Sequence, residues 1–122
     1  MIGIDTVRIS RIKKAIAKAA FTDRVFTAAE QSYCNGKADC AQSYAGIFCA
    51  KEAAVKALGI GFGSGVMPSD IEVAHCDGGA PILNFYGGAV RAFAQYECSV
   101  SISHDGDYAV AAVELLRKGD GK

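Results

Sequence analysis

The chain has 122 residues, 51% of them apolar, which suits one compact domain with its own core, spanning 1–122. Its 13 basic and 13 acidic residues cancel, so overall charge points to neither nucleic acid nor an anionic membrane. No apolar run approaches the ~20 residues that span a bilayer, and MIGIDTV at the start lacks the basic segment, apolar core and cleavage site of a secretion signal.

In chain order, Ile2 to Val7 alternates apolar residues around Gly3 and Asp5 as a short strand does. An Asp inside a strand is disfavoured, so the strand ends there or the carboxylate has a task. Arg8 to Ala20 reads as an amphipathic helix, with Ile9, Ile12, Ile16 and Ala19 as its apolar stripe and Arg11, Lys13, Lys14 and Lys18 as its wet side. That basic face is either a solvated surface or a docking surface for an acidic partner. Thr27 with Glu30 forms a capping box that opens a helix reaching Tyr33 or Cys34, and Asn35-Gly36 marks a turn.

The stretch Asp39 to Gly65 reads as one long helix running into a glycine-rich loop. Asp39 with Gln42 fits a capping box, and Gly59 sits where a left-handed cap is expected. Ala45, Phe48, Cys49, Ala53, Val55 and Leu58 supply its packing surface. Asp70 to His75 and Ile82 to Tyr86 form a hairpin around the turn Asp77 to Pro81. Gly87 to Tyr96 is a helix with Val90, Phe93 and Ala94 inward. Cys98 to Ser103 is a strand ending at His104. Asp105-Gly106-Asp107 is a tight turn. Tyr108 to Leu116 closes the chain as a strand apolar enough to be buried on both faces or in an interface, before a polar, frayed tail RKGDGK. Helices on a small, mostly antiparallel sheet make the fold α+β, and association that covers the sheet would compensate for a small core.

Five cysteines, an odd number with no CxxC pair, argue against a zinc site and a complete disulfide framework. Reduced thiols in a cytoplasmic protein are the simplest account. Cys49 has no neighbouring His to activate it.

Three features carry chemistry. Asp5 and Glu52 are carboxylates far apart in sequence, each where a local rule disfavours it; brought together they can hold a hard divalent cation such as Mg²⁺, which keeps waters and phosphate oxygens in its remaining positions. Lys51 and Lys56 are candidate cations for those phosphates, although Glu52 and Lys56, four apart, also fit a plain surface ion pair. The loop Gly59 to Gly65, with Gly61 inside it, permits close backbone approach to an anion or is only a flexible turn; it is not a P-loop. Ser101-Ile102-Ser103-His104-Asp105 holds Ser, His and Asp together. Successive strand residues face opposite ways, so it cannot be a hydrolase triad. Ser103 and His104 can donate to phosphate oxygens instead, or His104 is simply a turn residue. His75 has no ligand candidates nearby and reads as structural or exposed.

These motifs resemble the holo-acyl-carrier-protein synthases, the small class of 4′-phosphopantetheinyl transferases. The likeness runs from GIDTV (3–7) through FTDRVFTAAEQSYC (21–34), FCAKEAAVKALGIGFG (48–63), DIEV (70–73) and GGAP (78–81) to SHDGDYAVAAV (103–113). The order and spacing of the G-x-D strand, the KEA-x-x-KALG-x-G helix and loop, and the S-x-SH strand are together specific. The resemblance implies transfer of the phosphopantetheine arm of coenzyme A to a serine of an apo acyl carrier protein, with release of adenosine 3′,5′-bisphosphate. It implies Mg²⁺ on Asp5 and Glu52, Lys56 on CoA phosphate, and Ser103 and His104 on CoA phosphates; from the charge that such a transfer develops, Glu52, directly or through a metal-bound water, is the candidate base for the serine proton. It also implies a homotrimer with active sites between subunits, and an acidic carrier protein docked on the first helix at Arg8, Arg11 and Lys14. One departure stands out: the family usually carries Arg where this chain has Ile47. An inactive CoA-binding relative and a metal-dependent phosphohydrolase are the rival readings, the second short of carboxylates. The served pathway, whether fatty-acid, polyketide or peptide synthesis, stays open.

Overall fold

A computed structural model of the protein describes residues 1–119. At its centre a long helix, α4 (Cys40–Leu58), packs on a three-stranded antiparallel sheet ordered β1 (Ile2–Arg8), β5 (Tyr108–Arg117), β4 (Tyr96–Asp105). Small residues let the helix sit close. A Cβ at Gly3 would lie 2.0 Å from the Ala53 carbonyl oxygen, and one at Gly46 would lie 2.8 Å from Ile102. Ala45, Ala50, Ala53 and Ala54 are buried along the same helix. Its C-terminus closes at Gly59 with φ of +74°, a left-handed cap that glycine adopts without Cβ strain.

Around this layer lie α1 (Ile9–Ile16), α2 (Ala19–Val25) and α3 (Ala28–Asn35), a second antiparallel hairpin of β2 (Ile71–His75) and β3 (Pro81–Phe85), and the short helix α5 (Gly88–Phe93). The capping box of Thr27 and Glu30 is present, and α+β is the observed class.

Several expectations need correction. The helix over 8–20 is two helices. Lys18 is extended between them, and the Thr22 hydroxyl donates to the carbonyls of Ile16 and Lys18. The chain thus turns without Gly or Pro while its apolar stripe continues, which hides the break from periodicity. Asp39 accepts from the Gln42 amide, but the reciprocal half of that box is missing because the Gln42 side chain reaches His104 instead. In α5 the inward residues are Ala89 and Phe93, while Val90 is 55% exposed and Ala94 also faces out. The phase is set at Gly88, where a Cβ would collide with the Gly65 carbonyl, and by Phe93 stacking on Phe85 at 4.4 Å.

The closing strand alternates. Ala109, Ala111, Val113 and Leu115 face α4, while Tyr108, Val110 and Leu116 face away beside Ile2 and Ile4. One side of the sheet is therefore core and the other an exposed apolar face. Arg117 of the polar tail belongs to β5, and 120–122 lie outside the described residues. Among the described residues no helix is long and apolar enough to cross a membrane. All five cysteines are free, and burial holds the Cys34 and Cys49 thiols up at about 12, so both stay protonated.

Candidate active site

Register decides which side chains meet. Asp5 sits opposite Ala111, a buried residue of β5, so its carboxylate points to the α4 side of the sheet. The Gly3–Ala53 approach brings that side chain under the second half of α4. There Lys56 Nζ lies 2.8 Å from Asp5 Oδ1 and 3.3 Å from the Ile4 carbonyl. The hydrogen bond to Asp5 raises the Lys56 ammonium above its ordinary value. Lys56 thus pairs with Asp5 rather than with Glu52, the i,i+4 neighbour.

Glu52 is half-buried on the same face. Burial first, and then the negative charge of Asp5, push its carboxyl above the usual carboxylate range, while Lys56 and Arg11 pull the other way. The carboxylates of Asp5 and Glu52, with half-exposed Lys56 beside them, form a centre of hard oxygen donors. The neighbouring Cys49 thiol stays neutral and donates to the Ala109 carbonyl, so it adds no soft ligand. Among the described residues no three His, Cys, Asp or Glu side chains gather as a metal site. The pair Asp5 and Glu52 fits an ion that takes one or two carboxylates and fills its shell with water and phosphate oxygens. Such a donor pair fits Mg²⁺, and it lacks the four sulfur or nitrogen ligands that a structural zinc ion takes.

Lys51 is not at this centre. It is 1% exposed, and its Nζ forms an ion pair with Glu30 Oε1 at 2.8 Å. It also donates to the carbonyls of Pro68 and Ile71. An ammonium has three protons to give, so all three are committed and none is left for a phosphate. Adjacent positions on a helix point about a quarter-turn or more apart, which turns Lys51 into the core while Glu52 faces out. Glu30 was legible as a cap, but its second role as this lysine's counter-ion was not.

Gly59 and Gly61 open the loop directly after the Lys56 turn, and a Cβ at either would meet nothing within 4 Å. Ser103 and His104 fall on opposite faces of β4, Ser103 opposite Val110 on the exposed apolar side and His104 opposite Ala109 on the α4 side. His104 Nε2 lies 3.0 Å from the Gln42 amide nitrogen at the start of α4. Gln42 and Glu52 are about 15 Å apart along the helix axis at 1.5 Å per residue. One chain therefore unites Asp5, Glu52 and Lys56 and leaves His104 at the far end of α4. Arg8 lies over the Tyr108 ring at 5.0 Å, and Lys14 lines a groove of about 450 Å³ with Phe21, Lys18 and Arg24.

The model of the 4′-phosphopantetheinyl transferase superfamily matches residues 1–113. This chain belongs to that superfamily. A holo-[acyl-carrier-protein] synthase of Geobacter metallireducens is 45% identical over 120 residues, covering 94% of this chain and 95% of its own length. One from Anaplasma phagocytophilum is 43% identical, covering 93% of this chain and 95% of itself. Among solved structures, the Helicobacter pylori holo-[acyl-carrier-protein] synthase in complex with coenzyme A superposes with a TM-score of 0.85 at 36% identity, covering 95% of this chain and 100% of that one. The Bacillus anthracis synthase in complex with CoA (3′,5′-ADP) gives a TM-score of 0.80 at 37% identity, covering 93% of each chain. The fold of this chain is the phosphopantetheinyl transferase fold.

Proposed function

We propose that this protein transfers the 4′-phosphopantetheine of coenzyme A to a serine hydroxyl of an apo acyl carrier protein and releases adenosine 3′,5′-bisphosphate. The observation that carries the reading is the meeting of Asp5, Glu52 and Lys56, from two elements distant in sequence, at the mouth of a glycine-rich loop. The relatives and solved neighbours support the same chemistry.

Asp5 and Glu52 would hold a Mg²⁺ ion, which when bound supplies Lewis-acid polarisation and charge neutralisation at a diphosphate. The chain's own groups do the rest. Lys56 gives two donors to Asp5 and the Ile4 carbonyl, which leaves its third for a phosphate oxygen. The serine oxygen bonds to the phosphorus that carries pantetheine, and that phosphorus releases the oxygen it shares with the adenosine-bearing phosphate. Negative charge grows on the phosphoryl oxygens and the departing oxygen, so rate comes from positioning and from fixed positive charge. Lys56 supplies that charge, and the amides of the Gly59–Gly61 turn can add to it. Glu52 is assigned the serine proton, being the carboxylate here that Lys56 does not pair with.

An acidic carrier protein docks on Arg8, Arg11 and Lys14 in this reading. Arg11 supports it, since its charge is felt at Glu52 and so links the basic face to the reacting groups. The exposed apolar sheet face of Ile2, Ile4, Val110 and Leu116 supports a trimer. In such a trimer, Ser103 and His104 of one subunit serve the carboxylates of its neighbour.

Incubation with CoA, Mg²⁺ and apo carrier protein tests the proposal. The carrier protein should gain the mass of one phosphopantetheine, and Asp5→Asn or Glu52→Gln should abolish the gain. Unchanged carrier protein despite CoA binding would instead identify a non-catalytic relative, and modification by both variants under chelation would remove the assigned roles.

A further inference from the structure

The eight-residue helix α1 carries the basic face, yet it brings no cap of its own. Arg8 at its N-cap makes no side-chain hydrogen bond, and its first turn holds no acidic residue. The missing partners come from the β4–β5 turn, 97 positions away. The Ile9 amide donates to the Asp107 carbonyl at 2.7 Å, and the Ser10 amide donates to Asp107 Oδ1 at 2.9 Å. The Ser10 hydroxyl donates to Oδ2 at 2.7 Å, so both carboxylate oxygens are engaged. The next residue, Tyr108, pairs with Arg8 in the sheet and lies under its guanidinium. Gly106, at φ of +57°, turns the chain tightly enough to place Asp107 there.

We propose that Asp107 is a positioning residue for the carrier protein: it caps α1 from across the fold and so fixes the orientation in which Arg8, Arg11 and Lys14 are presented. The proposal rests on the transferase reading above. An isolated helix this short is marginal in water, and its first amides have no partner within the helix. A carboxylate at that end satisfies one of them and complements the positive pole of the helix. The Ser10 hydrogen bonds, with Arg8 nearby, hold the Asp107 carboxyl below its ordinary value. Arg11 lies in that first turn, and its charge reaches Glu52. A first turn that frays would move Arg8 and Arg11 relative to the carboxylate centre. Charge alone makes the opposite demand. Asp107 lies beside Arg8 and Lys13 and would repel an acidic partner, so on electrostatics its removal should tighten docking. The cap makes its removal weaken docking.

The test is steady-state labelling of apo carrier protein, with carrier protein and coenzyme A varied in turn. Asp107 is exposed, so its variants should fold. Asp107→Ala should raise KM for carrier protein about three- to tenfold, as the loss of one cap implies. Its KM for coenzyme A and its kcat should stay at the wild-type values. Asp107→Asn keeps an acceptor for the Ser10 amide and drops the charge. It should leave KM for carrier protein at or below that of the wild type. Hydrogen exchange of the Ser10 amide should quicken in Asp107→Ala and not in Asp107→Asn. An unchanged or lowered carrier KM in Asp107→Ala, or an equal rise for both substrates, overturns the proposal. So does a carrier KM raised as much in Asp107→Asn as in Asp107→Ala. With wild-type labelling intact, those results remove this inference alone. A wild type that modifies no apo carrier protein removes the transferase reading and this inference with it.

Discussion

Replacing Lys51 by Met separates two roles that this lysine could have. The change keeps length and apolar stem but removes the charge. Glu30 would remain in the core with its Oε1 accepting from the Thr27 amide and its Oε2 accepting from the Val73 amide at 2.7 Å. Removing one partner of a buried pair costs about 3–5 kcal/mol, because an uncompensated charge is left behind. The carbonyls of Pro68 and Ile71 also lose a donor. The two amides that still solvate Glu30 pull the total toward the lower end, about 3 kcal/mol. Against a typical total stability of about 5–15 kcal/mol, Lys51→Met should fold but unfold at visibly lower urea. The double variant Lys51→Met with Glu30→Gln removes both charges and should cost less than the sum of the single changes. Urea unfolding followed by circular dichroism, at one fixed protein concentration because association shifts the midpoint, reads both numbers. A loss under about 1 kcal/mol in Lys51→Met, or strict additivity in the double variant, would refute the buried-clamp argument. Wild-type stability together with lost CoA affinity would return Lys51 to the phosphate site.

Other outcomes follow from the same geometry. Glu52 has a raised folded value, so the folded chain holds its proton more tightly than the unfolded chain does; without a divalent cation, stability should fall as pH rises from the ordinary glutamate value of 4.5 through the folded one. Mg²⁺ should reverse that slope, and a thermal-shift series in which Glu52→Gln shows the same Mg²⁺ effect as the wild type would contradict it. Burial and then the Lys37 charge hold His75 below 6.5, so Lys37→Ala should move the His75 titration upward in an NMR pH series, and a static or falling value would count against that influence. Ile4→Glu puts a charge on the apolar outer face of the sheet, where Ile4 is 58% exposed, and, if the proposed trimer packs through that face, should leave monomer in light scattering where the wild type gives the trimer mass. Gly3→Ala drives a Cβ into the Ala53 carbonyl and should cost about 1–3 kcal/mol.

The elements were legible where local chemistry announced them. Thr27 with Glu30 and the left-handed Gly59 each carry a signature within four or five residues and lie where the pattern put them, while the turn expected over Asp77–Pro81 ends one residue earlier, because Pro81 already pairs with His75 in β3. The first helix was misread because its interruption is made by a side chain, Thr22, reaching back to carbonyls, and Thr22 looks unremarkable in sequence. The site was legible as residue types. Asp5 and Glu52 violate local preference, and a violation that persists asks for a function. Their partners were not legible, since pairing depends on which face of α4 turns to which strand. Lys51 and Lys56 look alike in sequence, yet one is spent inside the core and the other stands at the carboxylates. Tyr33 and Lys37 lie four residues apart, but His75 is on β2, and only the fold stacks its ring on Tyr33.

The contrast between the two lysines also explains how one helix serves both stability and chemistry. Lys51 ties the middle of α4 to Pro68, the residue where the chain returns from the glycine loop, and to Ile71 at the start of β2. The loop leaves α4 at Gly59, so the same helix fixes both of its ends. A loop rich in glycine loses much entropy when it is ordered around an anion. Anchoring its two ends to one rigid element reduces the freedom it must give up at that moment. Glu52, the residue next to Lys51, inherits the same rigidity, since its backbone cannot shift without breaking the buried pair. The buried ion pair stabilises the fold and, by doing so, holds the carboxylate centre and the loop in one fixed relation to each other.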